Sequence, residues 1–173
     1  NPKKFIKILT VGRLVQQKDH ITILKALKLL KNKISFKLCI IGKGNQKERL
    51  LEYIKKNKME KNIKLIGYKK NIYPYYKKAD LFILSSLYEG LPNTLIEANY
   101  FNLKIISSSC KTGPKEILKS NKNSKLFKVG DFNELAKHIL LSKFKEKRKF
   151  TIDKRFDFNN NLANYKKIIL SIL

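Results

Sequence analysis

Short apolar runs alternate with segments of helical periodicity along most of the 173-residue chain. The periodicity is clearest where Ile21, Leu24, Leu27 and Leu30 recur on one face of a predicted helix. Strands are predicted at residues 6–11, 36–41, 63–66, 81–84, 104–107 and 125–128. Helices are predicted at about residues 19–31, 46–56, 72–78, from 92 onward, 114–119 and 132–142, with Asp19 and Asp131 as N-caps.

The predicted strands are apolar at successive positions, as in IKILTV and LFIL, and helices separate them. Strands of this kind are typical of a parallel sheet that helices cover on both faces. We therefore predict an α/β fold: a Rossmann-like, doubly wound parallel sheet of about six strands. Residues 1–142 would form this domain, and residues 143–173 a charged connector and a C-terminal helix with one apolar side.

The segments that follow the predicted strands are the places where a doubly wound sheet binds ligands. After the first strand, Gly12 lets the backbone approach a ligand, and Arg13 and Lys18 supply a planar donor fork and a point charge. This pairing suits a diphosphate. The alternative is that Arg13 and Lys18 are ordinary surface residues of a loop. After the second strand, Gly42 and Gly44 open a helix in the manner of a phosphate cradle.

The segment EGLPNTLIE places two carboxylates, Glu89 and Glu97, on either side of a predicted helix start. Pro92 and Asn93 are helix-start residues, and the backbone N–H groups of residues 90–94 would be free to bind an anion. A carboxylate here can accept hydrogen bonds from vicinal hydroxyls, as the acidic residue of dinucleotide folds does. The alternative is that Glu97 merely complements the helix dipole.

The formal net charge of +26 suggests a nucleic-acid partner. The basic residues are nearly all Lys and are scattered, however, whereas base-reading sites favour Arg. We therefore expect no nucleic-acid partner, and we expect peripheral association with an anionic membrane surface instead. No metal-binding cluster or catalytic triad is visible: Cys39 and Cys110 lack partners at ligand spacing, and His20 is interpreted as a packing or capping residue.

Taken together, these segments resemble the C-terminal, donor-binding domain of retaining GT-B glycosyltransferases of family 4, the glycosyl transferases group 1. The resemblance covers about residues 7–141 and keeps the order and spacing of the family's motifs. The Glu-x7-Glu motif, Glu89 and Glu97, is its most specific element. The other motifs are VGRL with Lys18, IGKG, IYPYYKKADLFILSS, EGLPNTLIEA and GPKEIL.

The resemblance implies roles for individual residues. Arg13 and Lys18 would bind the donor diphosphate and stabilise the leaving group, Glu89 would contact the donor sugar, and Glu97 would hold the ribose hydroxyls. Backbone N–H groups of residues 91–94 would reach sugar and phosphate oxygens, and the loop at residues 67–68 would line the base. The residues expected to bind the donor are Gly12, Gly42, Gly44, Gly67, Tyr68, Gly90, Leu91, Pro92, Asn93, Thr94 and Glu97.

The implied reaction transfers a hexose or N-acetylhexosamine from a nucleotide-diphosphate sugar, with UDP favoured, to a lipid-linked saccharide of a bacterial surface polysaccharide such as O-antigen or capsule. No metal or other cofactor is expected. The family adds an N-terminal acceptor domain, so we expect this domain to work with such a partner in the cytoplasm, at the inner face of the cytoplasmic membrane. Two alternatives remain: a nucleotide-binding module without transferase activity, and a basic nucleic-acid-binding protein.

Overall fold

A computed structural model describes residues 5–119 and 121–142. The strands are β1 (Ile6–Val11), β2 (Phe36–Ile41), β3 (Ile63–Gly67), β4 (Leu81–Leu84), β5 (Lys104–Ser108) and β6 (Ser124–Phe127). The helices are α1 (His20–Leu30), α2 (Lys47–Lys56), α3 (Tyr73–Lys78), α4 (Asn93–Tyr100), α5 (Pro114–Leu118) and α6 (Phe132–Leu141), and a 3-10 turn spans Gln16–Lys18. The predicted connector and C-terminal helix at 143–173 lie outside the described residues.

The strands form one parallel sheet in the order β3-β2-β1-β4-β5-β6. This order confirms the predicted Rossmann-like, doubly wound fold, since the chain runs outward from β1 in one direction and outward from β4 in the other. The strand order reverses between β1 and β4, and the carboxyl ends of these two strands are where a doubly wound sheet forms its ligand crevice. None of the helices within residues 5–119 and 121–142 has the length and apolar character needed to cross a bilayer.

Apolar side chains fill both faces of the sheet, as the sequence pattern predicted. One core layer lies against α1, α2 and α6, and the other lies against α3, α4 and α5. Successive residues of one strand enter different layers: Ile83 belongs to the first layer, and Phe82 and Leu84 belong to the second. Strand β4 is therefore apolar and buried at every position, because helices cover both of its faces.

The two predicted N-caps have different outcomes. The Asp131 side chain accepts a hydrogen bond from the backbone N–H of Glu134 at 2.8 Å, which confirms it as the cap of α6. Asp19 occupies the predicted N-cap position of α1, but its side chain makes no capping bond to the backbone of that helix. A 3-10 turn precedes α1 and leaves Asp19 at φ 42°, where its carboxylate accepts from the Thr22 hydroxyl at 2.6 Å.

Candidate functional site

Four loops meet at the carboxyl edge of the sheet, where the predicted site residues lie. They are named here by their order: the first loop (residues 12–19) follows β1, the second (42–46) follows β2, the third (85–92) follows β4 and the fourth (109–113) follows β5. Because β1 and β4 are neighbours in the sheet, the first and third loops face each other although more than sixty residues separate them along the chain. The site residues predicted from these two loops are therefore brought together.

An ion pair joins the first loop to the third. The ammonium of Lys18 contacts Oε1 of Glu89, and their side chains are only 15% and 7% exposed. The hydroxyl of Ser86 donates to the same carboxylate oxygen at 2.6 Å. Two residues to which the resemblance gives different roles, one for the diphosphate and one for the sugar, are thus in direct contact.

Gln17 fastens the backbones of these two loops to each other. Its carbonyl accepts from the N–H of Leu87 at 2.8 Å, and its side-chain amide donates to the carbonyl of Tyr88 at 2.9 Å. Arg13 is exposed and donates to the Gln17 side chain at 3.3 Å. Lys18 therefore sits on a fixed turn, whereas Arg13 is held by one long hydrogen bond.

Buried polar groups at the ends of β4 and β5 hold the first and third loops. Ser85 donates to the carbonyl of Lys18 at 2.9 Å, and Ser108 donates to the carbonyl of Ser86 at 2.7 Å. Cys110 lies 3.1 Å from that same carbonyl. Sequence reasoning missed the role of Ser85. The available signal was the pair of hydroxyls, Ser85 and Ser86, directly after the apolar run LFIL.

The fourth loop packs tightly against the third. The Thr112 hydroxyl donates to the carbonyl of Glu89 at 2.5 Å. Gly113 has φ 88°, and a Cβ there would lie 2.1 Å from the carbonyl oxygen of Gly90 and 2.8 Å from Cδ of Pro92. A glycine at this position is therefore needed for the approach that places Gly90 and Pro92.

The glycines of the second loop serve a similar close approach. A Cβ at Gly42 would lie 1.9 Å from the carbonyl oxygen of Gly12, and one at Gly44 would lie 2.3 Å from that of Leu14. The N–H of Leu14 also donates to the carbonyl of Lys43 at 2.9 Å. The packing of the two loops accounts for both glycines, and their predicted contact with a phosphate stays a prediction.

Helix α4 begins beside the ion pair. Pro92 precedes the helix in an extended conformation, and no side chain caps its first turn. Leu91 and Asn93 are exposed, and Thr94 is half-buried. No side chain of the described residues therefore competes for the N–H groups at this end, and their predicted contact with an anion stays a prediction.

Glu97 lies on α4 and has a different partner from Glu89. Its Oε2 accepts from the hydroxyl of Tyr76 at 2.8 Å. Burial, together with the nearby Glu97 carboxylate, raises the pKa of Tyr76 well above its usual value, so the phenol remains a donor. The two carboxylates of the motif thus meet a cation and a neutral donor, respectively.

Gly67 and Tyr68, predicted to line a base, lie at the end of β3. Gly67 has φ 77° and open space where a side chain would start. The Tyr68 ring is 67% exposed, and the Lys43 ammonium lies 5.7 Å from its centroid. An exposed aromatic face at this edge can stack on a planar ligand.

The part of the chain that the structure describes contains no group of three or more His, Cys, Asp and Glu side chains placed to hold a metal ion. The predicted independence from metals stays a prediction.

His20 is buried beside the first loop, and we predict that it makes stability depend on pH. Burial, aided by the charge of Lys18, lowers its pKa from the usual 6.5 to about 4. As the pH falls from 6.5 to 4, His20 binds a proton in the unfolded chain but not in the folded chain. The stability that neutral His20 contributes above pH 6.5 is therefore lost towards pH 4. A full shift of this size corresponds to about 3 kcal/mol.

Urea unfolding of the His20→Gln variant between pH 4 and 7 is the measurement. The variant should lose this part of the slope, and the matched change at the other histidine, His138→Gln, should keep it. An unchanged slope in His20→Gln would contradict the assignment.

Residues 1–163 match the protein family described as "Glycosyl transferases group 1". An uncharacterised glycosyltransferase of Methanocaldococcus jannaschii is 43% identical over 111 residues, which is 64% of this chain and 27% of that protein. A Campylobacter jejuni protein, named N-acetylgalactosamine-N,N'-diacetylbacillosaminyl-diphospho-undecaprenol 4-alpha-N-acetylgalactosaminyltransferase, is 33% identical over 128 residues, 74% of this chain and 34% of that protein. The chain spans about a third of the length of such curated relatives.

Solved structures share the fold. The lipopolysaccharide outer core galactosyltransferase WaaB in its apo form aligns with a TM-score of 0.81 at 25% identity, over 99% of this chain and 51% of that chain. Staphylococcus aureus TarM, in a complex with UDP, Fondaparinux and alpha-GlcNAc-glycerol, aligns with a TM-score of 0.74 at 26% identity, over 80% of this chain and 29% of that chain.

Proposed function

Because the chain belongs to the glycosyl transferases group 1 family, we propose that it is the donor-binding domain of a retaining glycosyltransferase. The donor is a nucleotide-diphosphate sugar, most simply a UDP-linked hexose or N-acetylhexosamine. The acceptor is a lipid-linked saccharide of a bacterial surface polysaccharide, bound by a second domain. The basic surface holds the enzyme at the inner face of the cytoplasmic membrane.

One observation carries this proposal: Lys18 and Glu89 are paired in the crevice beside the uncapped first turn of α4. A cation and a helix N-terminus suit a diphosphate, and a carboxylate suits sugar hydroxyls. Groups that suit the diphosphate and a group that suits the sugar of a nucleotide sugar thus lie next to each other.

The contacts of Lys18 suggest how the donor is received. A diphosphate offers the ammonium of Lys18 two or more charged oxygens in place of the single carboxylate of Glu89. When Lys18 moves to the phosphates, Glu89 is released. It keeps its hydrogen bond from Ser86 and accepts a second hydrogen bond from a hydroxyl of the donor sugar. Arg13, exposed and weakly held by Gln17, completes the cationic side.

Transfer breaks the bond between the anomeric carbon and the diphosphate, and negative charge grows on the departing oxygen. Lys18, Arg13 and the first-turn N–H groups of α4 stabilise that charge, which is the usual means of accelerating such a step. Glu97 holds the ribose away from the reacting bond. The acceptor must be positioned from the facing domain, and this positioning supplies much of the rate.

The names of relatives support the finer choices of substrate. The name of the Campylobacter jejuni relative specifies an N-acetylgalactosaminyltransferase that acts on an undecaprenol-linked saccharide. The TarM structure contains UDP. These names support UDP and a lipid-linked acceptor for this chain.

We expect the 173-residue chain to bind UDP or GDP without a divalent metal, because side chains and N–H groups meet the phosphate charge. Isothermal titration calorimetry with UDP, GDP and a short DNA duplex, each with and without a chelator, is the measurement. A heat of nucleotide binding that is the same with and without the chelator supports the proposal.

Loss of nucleotide binding on chelation would contradict the metal independence. Tight binding of DNA with no nucleotide binding would instead favour the nucleic-acid alternative, to which the net charge of +26 points.

A further inference from the structure

Tyr76 is a buried phenol beside the site that the proposed function does not use. It lies on α3 and has no exposed surface. Its ring is stacked on Phe101, with centroids 5.4 Å apart and planes within 4°, and it also contacts Phe82 at 5.7 Å. Two aromatic neighbours therefore fix the direction in which its hydroxyl points.

That hydroxyl has one proton and two acceptors within reach. Oε2 of Glu97 lies at 2.8 Å and the carbonyl of Thr94 at 3.2 Å. The shorter contact goes to a carboxylate, and charge-assisted hydrogen bonds are the stronger ones. The Tyr76 hydroxyl therefore donates its hydrogen bond to Glu97. The carbonyl contact anchors the same oxygen to the first turn of α4.

Oε1, the other oxygen of Glu97, has no hydrogen-bond partner within the residues that the structure describes. The carboxylate is thus held at one oxygen and open at the other. A carboxylate on a flexible Glu side chain would otherwise sample several rotamers and lose entropy when a ligand fixes it.

We propose that Tyr76 is a positioning residue that orients Glu97 towards the vicinal hydroxyls of the ribose. This inference rests on the proposed function, since it takes Glu97 as the ribose contact. Tyr76 touches no substrate and acts only through the carboxylate. Its effect is therefore confined to ligands that carry the hydroxyls.

If the Tyr76 hydroxyl only held α3 and α4 together, its removal would have a different effect. Its loss would disturb α3 and α4 and would weaken every nucleotide alike. The ratio of two affinities separates these cases: the dissociation constant for 2',3'-dideoxy-UDP divided by that for UDP. This ratio reports hydroxyl recognition and cancels any general loss of site integrity.

The experiment is calorimetry on the 173-residue chain with both nucleotides. The wild-type ratio should be about tenfold or more, because a charged hydrogen bond to the hydroxyls is lost with the dideoxy compound. Tyr76→Phe removes only the hydroxyl and should cut that ratio several-fold while leaving the affinity for 2',3'-dideoxy-UDP unchanged. Tyr75→Phe, a half-buried neighbour on the same helix, is the matched control and should keep the full ratio.

A second pair of variants tests the same contact from the side of Glu97. Glu97→Gln should lower the ratio by itself, and adding Tyr76→Phe to it should lower the ratio no further. An unchanged ratio in Tyr76→Phe, or a further loss in the double variant, would overturn the inference and leave the proposed function standing. Absence of any nucleotide binding by the wild-type chain would overturn both.

Discussion

Replacing Lys18 with methionine is expected to lower both the stability of the chain and its affinity for UDP. Methionine keeps the apolar stem but removes the ammonium, so the Glu89 carboxylate, 7% exposed, stays behind without its cation. Breaking a buried pair in this way costs about 2–3 kcal/mol of stability. Loss of a charged contact to the diphosphate lowers affinity about tenfold to a hundredfold.

A double variant separates the two losses. Lys18→Met combined with Glu89→Gln removes the stranded charge, so urea unfolding should recover most of the lost stability. Calorimetry with UDP should show that the affinity does not recover. Lys28→Met, on the exposed face of α1, is the control and should change neither quantity. UDP affinity in Lys18→Met within twofold of wild type would contradict the role given to Lys18.

Replacing Gly113 with alanine is expected to destabilise the chain strongly. The new Cβ would lie 2.1 Å from the carbonyl oxygen of Gly90, a backbone atom that cannot move without displacing the third loop. Together with the strain of φ 88°, we expect a loss of about 3 kcal/mol or more.

Gly130→Ala is a matched control for the strain alone. Gly130 has φ 77°, but no atom lies within 4 Å of a Cβ placed there. Its replacement should cost only about 1 kcal/mol. Urea unfolding of both variants gives the difference that belongs to the contact with Gly90. Equal losses would show that the third loop yields to the new methyl group.

The strands and helices could be predicted because their apolar periodicity is local. Short continuous apolar runs and a period of about 3.6 residues are legible in a single sequence, and the runs IKILTV and LFIL matched their strands without error. The position of Asp19 at the start of α1 was predicted, because an Asp before an apolar helix has the composition of a cap. Its bond to the Thr22 hydroxyl in place of a backbone N–H was not predicted, because the 3-10 turn before it leaves no such pattern.

The partners within the site were harder to predict because topology, rather than spacing, creates them. Lys18 and Glu89 were each identified as candidates, but their mutual contact depends on the adjacency of β1 and β4. Ser86 and Tyr76 were missed, since a serine after a strand and a tyrosine in a short helix are ordinary residues until their neighbours are known. The need for Gly113 likewise comes from the Gly90 carbonyl, which is remote in sequence.

The β1–β4 contact divides the crevice between two halves of the chain. Lys18 comes from the half that contains β1–β3, Glu89 comes from the half that contains β4–β6, and the shared ladder pairs Ile8 with Leu81 and Leu9 with Phe82. We therefore expect a molecule bound between Lys18 and Glu89 to act as a non-covalent cross-link across the centre of the sheet. At a hundred times its dissociation constant, such a ligand would add about 2.7 kcal/mol to the free energy of unfolding.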